Sequence, residues 1–443
     1  LSQPGADRQP VHPGVFCALL VAWIVLEYAR PPNPLKIPLI ASSALFLGWL
    51  ATPRKLWDPQ IFCLLAFFSL TVIAIPLAEN NYSSYQVANA MLISIVTVAI
   101  PMAHFADTVR RVDLLAKALL VVLAYMGIWA IGHGGLGPAA EGGAQDENYV
   151  AMYMSVALPF AYFAVFHFNG LHRKLVYTGL VGIFVVAIIV SLSRGGFLGL
   201  VAVAFFCWLR SPRKLLGVVV AIVMGVVTLV VASDKYWSEM ETIADTNEGT
   251  ADLRIDAWKI AFRQYLDNPI LGVGGGNFPW EMGKYQGSDM WNKYGRNMSA
   301  NMVTHSLYFE LLAEEGSCGA ILVAMLIYFT IRDLRWVERN ARRRQRALGP
   351  RSPAAGEITR ATWLALSLQG GMIGFLVCSA FISTLYMSTF WTLVGMSLAL
   401  RHATARSLRA TDALRQPQPA SLAAPSLPQA APGRSGGRLA ELL

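Results

Sequence analysis

Charge is scarce in this chain. Of 443 residues only 14% are Asp, Glu, Lys or Arg, while 55% are hydrophobic; soluble domains carry roughly 25% charged residues. There are five cysteines and no Cys-x-x-Cys pair, so neither a disulfide framework nor a cysteine metal site is expected. His-Glu-x-x-His, Gly-x-Ser-x-Gly and calcium-loop patterns are also missing, which leaves zinc-protease, serine-hydrolase and EF-hand chemistry without support. No series of short alternating strands marks a membrane barrel, and no internal repeat of the kind found in inverted-repeat transporters is visible.

What is present is a series of apolar runs, each near the ~20 residues that cross a bilayer core of about 30 Å. Twelve spans can be placed, at 14–30, 35–51, 59–78, 84–104, 112–132, 147–167, 173–192, 195–210, 214–232, 305–331, 361–384 and 388–401. The chain reads as an all-α polytopic membrane protein. The first run has no small-residue cleavage site and is followed by more spans, so it reads as a retained span rather than a signal peptide. Lys and Arg gather in alternate loops, at Arg54/Lys55, Arg110/Arg111, Arg173/Lys174, Arg210/Arg213/Lys214 and the dense run from Arg332 to Arg351. The opposite loops are poor in them, and 133–147 carries Glu141, Asp146 and Glu147. Only Arg30 and Lys36 run against the trend. The positive-inside rule then puts both termini in the cytoplasm and residues 133–147 and 233–304 outside. The surplus of 36 basic over 27 acidic residues reads as a topology signal and as contact with anionic membrane lipids, not as nucleic-acid binding.

Four parts follow: spans over 1–232, an external loop over 233–304, spans over 305–402, and a tail over 403–443 whose Pro, Ala, Ser and Gln content predicts disorder. The loop holds Trp237, Trp258, Trp280 and Trp291, a composition that predicts short packed or interface-lying helices. One covers the stretch from Thr250 to Leu266, with Thr250 as N-cap and Asp252 in the first turn; Asn268-Pro269 ends it. Arg254, Trp258 and Phe262 stand four apart on one face. Arg263 lies roughly half a turn away, so Arg254 is the preferred inward cation. The run Gly272-Val-Gly-Gly-Gly276 has no preceding strand and no following Gly-Lys-Ser/Thr. It reads as a flexible turn rather than a phosphate loop.

Two further positions carry chemistry. Arg194, in Ser193-Arg194-Gly195-Gly196-Phe-Leu198, ends an apolar run. Its guanidinium fork suits phosphate oxygens, and Gly195 and Gly196 would let a ligand approach the backbone. The alternative is a snorkelling arginine at a span end. His305 opens an apolar helix after the polar loop, where an imidazole at a membrane–water boundary can take a proton near neutral pH. Ser306, Glu310 and Glu314 follow at helical spacing, serving either the chemistry or the orientation of the helix and of His305. Gly316 and Gly319 read as close helix packing.

Together these elements resemble the lipopolysaccharide O-antigen ligase family, within the wider group that includes O-antigen polymerases and protein O-oligosaccharyltransferases. The resemblance is carried by Arg194-x3-Leu198, by Arg254, Trp258, Pro269, Gly272-x-Gly274 and Phe278, and by His305-Ser306-x9-Gly316-x2-Gly319. It implies a GT-C-like integral-membrane glycosyltransferase, without metal or other cofactor. The donor would be undecaprenyl-diphosphate-linked O-antigen, the acceptor a sugar hydroxyl of lipid A–core, and the site would face the periplasm from the bacterial inner membrane, with inversion at the anomeric carbon. His305 would be the general base. Arg194 and Arg254 would hold the diphosphate, and Arg263, Ser306, Glu310 and Glu314 are secondary candidates. A polymerase would instead use a second carrier-linked glycan as acceptor, and a protein transferase a Ser or Thr side chain. From another class, a secondary transporter of anionic solutes is compatible with twelve spans and a membrane-edge arginine, but not readily with the missing repeat and the long external loop.

Overall fold

The computed structural model describes residues 13–31, 36–138, 144–211, 249–294, 302–347 and 353–413, with isolated helical positions between 214 and 226. Its helices, in order, are α1 (Pro13–Ala29), α2 (Ile37–Leu50), α3 (Pro59–Ala74), α4 (Asn81–Met91), α5 (Ile100–Phe105), α6 (Val109–Gly132), α7 (Glu147–His167), α8 (Leu171–Val190) and α9 (Arg194–Arg210). They continue as α10 (Gly249–Asp267), α11 (Phe278–Tyr285), α12 (Ser288–Tyr294), α13 (Leu307–Ala347), α14 (Pro353–Cys378) and α15 (Ser388–Ala413). A two-residue antiparallel pair, Gly137–Pro138 with Ala144–Gln145, lies between α6 and α7. The architecture is all-α, and among the described residues seven helical stretches are long and apolar enough to cross a membrane.

Every span expected from the sequence coincides with a helix except that over 214–232, most of which lies outside the described residues. Several boundaries differ. The first two helices and α9 are shorter than a full span. The fourth expected span is continuous from Asn81 to Phe105 but passes through π-helical turns at Leu92–Ala99. Pro101, just beyond them, has no N–H to give a regular helical bond. The expected helix over 361–384 stops at Cys378, so residues 379–387 form a non-helical segment. The last helix runs on to Ala413, which places 403–413 in a helix rather than a disordered tail; the rest of that tail is outside the described residues.

Helix starts follow local chemistry. Thr108 caps α6 through Arg111 N–H, Asp146 caps α7 through Asn148 N–H, and Ser193 caps α9 through Gly196 N–H. Helices α7, α9 and α14 pack together, and the tightest approach comes from missing side chains. A Cβ on Gly374 would stand 2.7 Å from the Ser155 carbonyl oxygen, and one on Gly199 would stand 2.3 Å from Cys378 Sγ. Such small-residue contacts hold membrane helices by dispersion and close backbone approach, since burial from lipid supplies little drive. A second, smaller core joins the loop helices to α13 through Ala257, Ile260, Phe278, Met282 and Ala313.

Candidate functional site

The site is built on a break in α13. At Gly316 the backbone takes φ 61° and ψ −161°, a region open in practice only to glycine. The break leaves backbone groups without helical partners, and the segment Pro269–Gly274 takes them up. Val273 N–H donates to the Ala313 carbonyl at 2.8 Å and Gly274 N–H to that of Glu314 at 3.0 Å. In return Ser317 N–H donates to the Pro269 carbonyl at 2.8 Å and Cys318 N–H to that of Ile270 at 3.1 Å. Irregular backbone at membrane depth persists only when protein satisfies it in this way. Gly316 is therefore a hinge in the chain rather than a helix-packing contact, because a Cβ there would meet the Ile270 carbonyl oxygen at 2.5 Å.

The glycine run that follows is held, not flexible. Glu314, buried, accepts from Gly276 N–H at 2.7 Å and Phe278 N–H at 3.0 Å. Ser84 and Ser83 donate to the carbonyls of Gly275 and Gly276 at 2.9 and 2.8 Å. Asn277 accepts from Asn80 N–H at 2.8 Å. Glu310 accepts from Leu385 N–H at 3.2 Å, while Tyr386 donates to Glu314 at 2.8 Å and to Glu315 at 2.9 Å. Glu310 and Glu314 thus anchor neighbouring chain segments, and neither bonds to His305.

His305 sits in the turn before α13, not in the helix, with φ 49°. Its neighbours are pinned on both sides. Trp258 of α10 donates its indole N–H to the Thr304 carbonyl at 2.9 Å and stacks on Phe309 at 5.1 Å between ring centroids. Thr304 shares a hydrogen bond with the Ser383 hydroxyl at 2.9 Å and donates to the Ser306 carbonyl at 3.0 Å. Leu307 N–H donates to the Ser379 carbonyl at 2.8 Å. Ser306 is buried and serves through its carbonyl, which accepts from Glu310 N–H at 2.9 Å to begin the helix. The imidazole itself is half-buried and makes no hydrogen bond among the described residues. Burial pushes its pKa below the ordinary histidine value, the charge of Arg254 adds to that fall, and Asp146 opposes it. The neutral ring, which can accept a proton, is therefore the form near pH 7.

Arg254, on α10 with Trp258, is near enough for its charge to act on His305. Phe262, expected on the same face, is 46% exposed and turns outward. Thr250 falls within α10 (Gly249–Asp267), and the side chain expected to cap that helix lies outside the described residues. Arg263 donates to the Tyr285 carbonyl at 3.0 Å and tethers α11 to α10, away from His305. Arg194 opens α9, next to the α7 N-terminus, because Ser193 donates to Asn148 at 2.7 Å. It stands on the same end of the bundle as Asp146 but is not among the charges acting on the His305 ring. The glycines after it leave no room for a ligand, since Cβ atoms on Gly195 and Gly196 would meet Phe381 at 3.0 Å and Ala151 at 2.4 Å.

The sequence reading missed residues 379–387, which form the floor of the site. Tyr149 donates to the Ser383 carbonyl at 3.0 Å, so α7, α9, α13 and the Thr304 turn all meet this segment. Its Ser379, Ser383 and Thr384 are the signal, polar residues interrupting the end of an apolar run. Beside it an apolar groove of about 530 Å³ runs along α9, lined by Leu198, Val201, Phe205, Tyr308, Leu376 and Phe381. Among the described residues no group of three or more His, Cys, Asp or Glu is placed to hold a metal ion, and all five cysteines are free.

Compared with curated proteins, the chain gives no match. Residues 179–324, which run from α8 through Arg194, the loop helices and His305 to beyond the Gly316 break, match the family model described as O-antigen ligase. That segment, with the histidine turn and its two arginines inside it, is where the chain is similar to the O-antigen ligase family.

Proposed function

We propose that this protein transfers O-antigen polysaccharide from undecaprenyl diphosphate to a sugar hydroxyl of lipid A–core. The carrying observation is a half-buried imidazole biased towards its neutral form, in a turn fixed from both sides, three residues from a tyrosine that lines an apolar groove. His305 removes the acceptor proton as the hydroxyl oxygen bonds to the anomeric carbon. The bond from that carbon to the diphosphate breaks on the opposite face, and its electron pair leaves on the phosphate oxygen, so the configuration inverts. Arg254 and Arg194 hold the diphosphate and offset the charge growing on it, the role a divalent metal plays elsewhere. The groove along α9 takes the first part of the prenyl chain. Glu310, Glu314 and Arg263 keep the surrounding segments in place, with Ser306 starting the helix.

The topology that goes with this reading has twelve spans, both termini in the cytoplasm and the His305 turn on the periplasmic side of the inner membrane. The test is transfer in vitro with purified protein, carrier-linked glycan and lipid A–core, with EDTA and without ATP. A ladder on lipid A–core with wild type but not with His305→Ala supports the reading. Longer carrier-linked glycan or a glycosylated protein acceptor would reassign the protein to polymerase or protein transferase. Solute uptake into proteoliposomes that depends on His305 would replace it with a transporter.

A further inference from the structure

At the far end of α9 and α13 from His305 lies a second kind of site. Arg194 and Arg210 bound α9, and at 1.5 Å per residue they stand roughly 24 Å apart, close to the thickness of a bilayer core. Around Arg210 two cavities of about 540 and 740 Å³ share Leu209 and Arg210 as a common wall. The continuation of α13 supplies Arg342 and Arg346 to the first and Arg335 and Arg339 to the second. These four positions follow helical spacing, so they form one stripe facing the cavities.

The charge there is unbalanced. The lining holds five arginines and one carboxylate, Glu338, which is already bonded to Arg210 at 2.8 Å and to Arg342 at 3.2 Å. Arg335, Arg339 and Arg346 are exposed and have no hydrogen bond or ion pair among the described residues. Apart from Gln369 the rest of the second cavity's wall is apolar, with Phe206, Ile331, Met372, Ile373 and Leu376, whereas the first also carries His167, Ser211, Gln345, Thr359 and Thr362. At its rim Leu209 is 45% exposed, and beyond it Phe205 and Tyr328 are 58% and 63% exposed on apolar helices, so the cavity opens towards lipid. An arginine stripe where an apolar run ends, beside a laterally open apolar cavity, fits a phosphate head group with an attached acyl chain.

We propose that the two cavities meeting at Arg210 together bind one anionic phospholipid, its phosphate at the arginine stripe of Arg335, Arg339, Arg342 and Arg346 beside Arg210 and an acyl chain in the second cavity along Ile331, Met372 and Leu376. The site is distinct from that of His305 and does not depend on the transfer reaction. It is tested by native mass spectrometry of the full chain in detergent with equal phosphatidylglycerol and phosphatidylcholine. Wild type should keep phosphatidylglycerol in preference. Arg335→Gln/Arg339→Gln and Arg342→Gln/Arg346→Gln should each lower its retention, roughly fivefold per arginine removed. Arg173→Gln/Lys174→Gln, exposed on α8 and outside both cavities, should change it less than twofold. Equal retention of the two lipids, or an equal loss in the α8 variant, would overturn the site in favour of diffuse charge. Displacement of phosphatidylglycerol by millimolar inorganic phosphate would also overturn it, in favour of a free anion. Should a double variant not fold, Arg339→Gln alone carries the comparison.

Discussion

Replacing Gly316 by alanine tests the stitched helix break without reference to any activity. The residue's φ of 61° and ψ of −161° cost a side-chain-bearing residue about 1–3 kcal/mol. The new methyl cannot relax into open space, since the Ile270 carbonyl oxygen would lie 2.5 Å away and Gly272 N 2.7 Å away. The chain must therefore open the seam between Pro269–Gly274 and Ala313–Cys318, which holds four backbone hydrogen bonds. Local opening that is easier by about 1–3 kcal/mol makes amide exchange roughly 5- to 150-fold faster. Hydrogen exchange measured by mass spectrometry should show that gain in peptides covering Val273, Gly274, Ser317 and Cys318. Peptides from α7 and α14 should keep wild-type protection. Gly179→Ala in α8, where nothing lies within 4 Å of the added Cβ, is the matched control and should leave the seam unchanged. Seam amides in Gly316→Ala protected within twofold of wild type would refute the account of the break.

His305 needs to be neutral to act as a base, so the transfer rate should be level above its lowered pKa and fall as acid protonates the ring. Because Arg254 lowers that pKa and Asp146 raises it, Arg254→Gln should move the acid limb of a pH–rate profile upward and Asp146→Asn downward; unmoved limbs would remove both electrostatic assignments. Trp258→Phe keeps the stack on Phe309 but leaves the Thr304 carbonyl without its indole donor, a loss of about 1–3 kcal/mol. If it falls on the positioned transition state, kcat/KM drops roughly 5- to 150-fold, and a wild-type rate would show that the turn does not rely on Trp258. Tyr386→Phe withdraws the hydroxyl shared by Glu314 and Glu315 and should lower thermal stability, whereas Tyr82→Phe, 67% exposed on α4, should not; equal melting temperatures would contradict the anchoring role.

Periodicity and hydropathy were enough for the helical elements, because an apolar run near bilayer length has few other solutions. They failed where chain direction is decided by partners distant in sequence. Residues 379–387 end an apolar run with Ser379, Ser383 and Thr384, and their backbone is satisfied by Leu307 N–H, Tyr149 and Glu310, none of which can be inferred from local composition. The spacing of Arg254 and Trp258 was legible for a converse reason, since one helix face fixes both side chains together. His305 and Arg254 could be named from the sequence, but not that burial outweighs the arginine in setting the ring's charge state. Glu310 and Glu314 show the limit most plainly. Their i,i+4 spacing suggested a shared function, and they instead reach two different segments, the 379–387 floor and the glycine run.

That division explains why the histidine turn can be rigid although it lies in a loop. One turn of α13 carries Glu310 to the 379–387 floor, and the next carries Glu314 to the glycine run of the loop domain. The floor returns to the histidine turn through Thr304 and Leu307. The loop domain returns through Trp258. Two closed circuits of hydrogen bonds therefore meet at residues 304–307, and neither passes through the His305 side chain. The imidazole is positioned by its backbone and left with both ring nitrogens uncommitted among the described residues. A histidine recruited only to stabilise the fold would have been drawn into one of those circuits, as His402 is by Asp58 on α15's side of the bundle at 2.6 Å. Shortening either circuit should therefore disturb the geometry at His305 more than its charge. Glu310→Gln and Glu314→Gln should lower the transfer rate while leaving the acid limb of the pH profile in place, and a shift of that limb without loss of rate would refute the positioning argument.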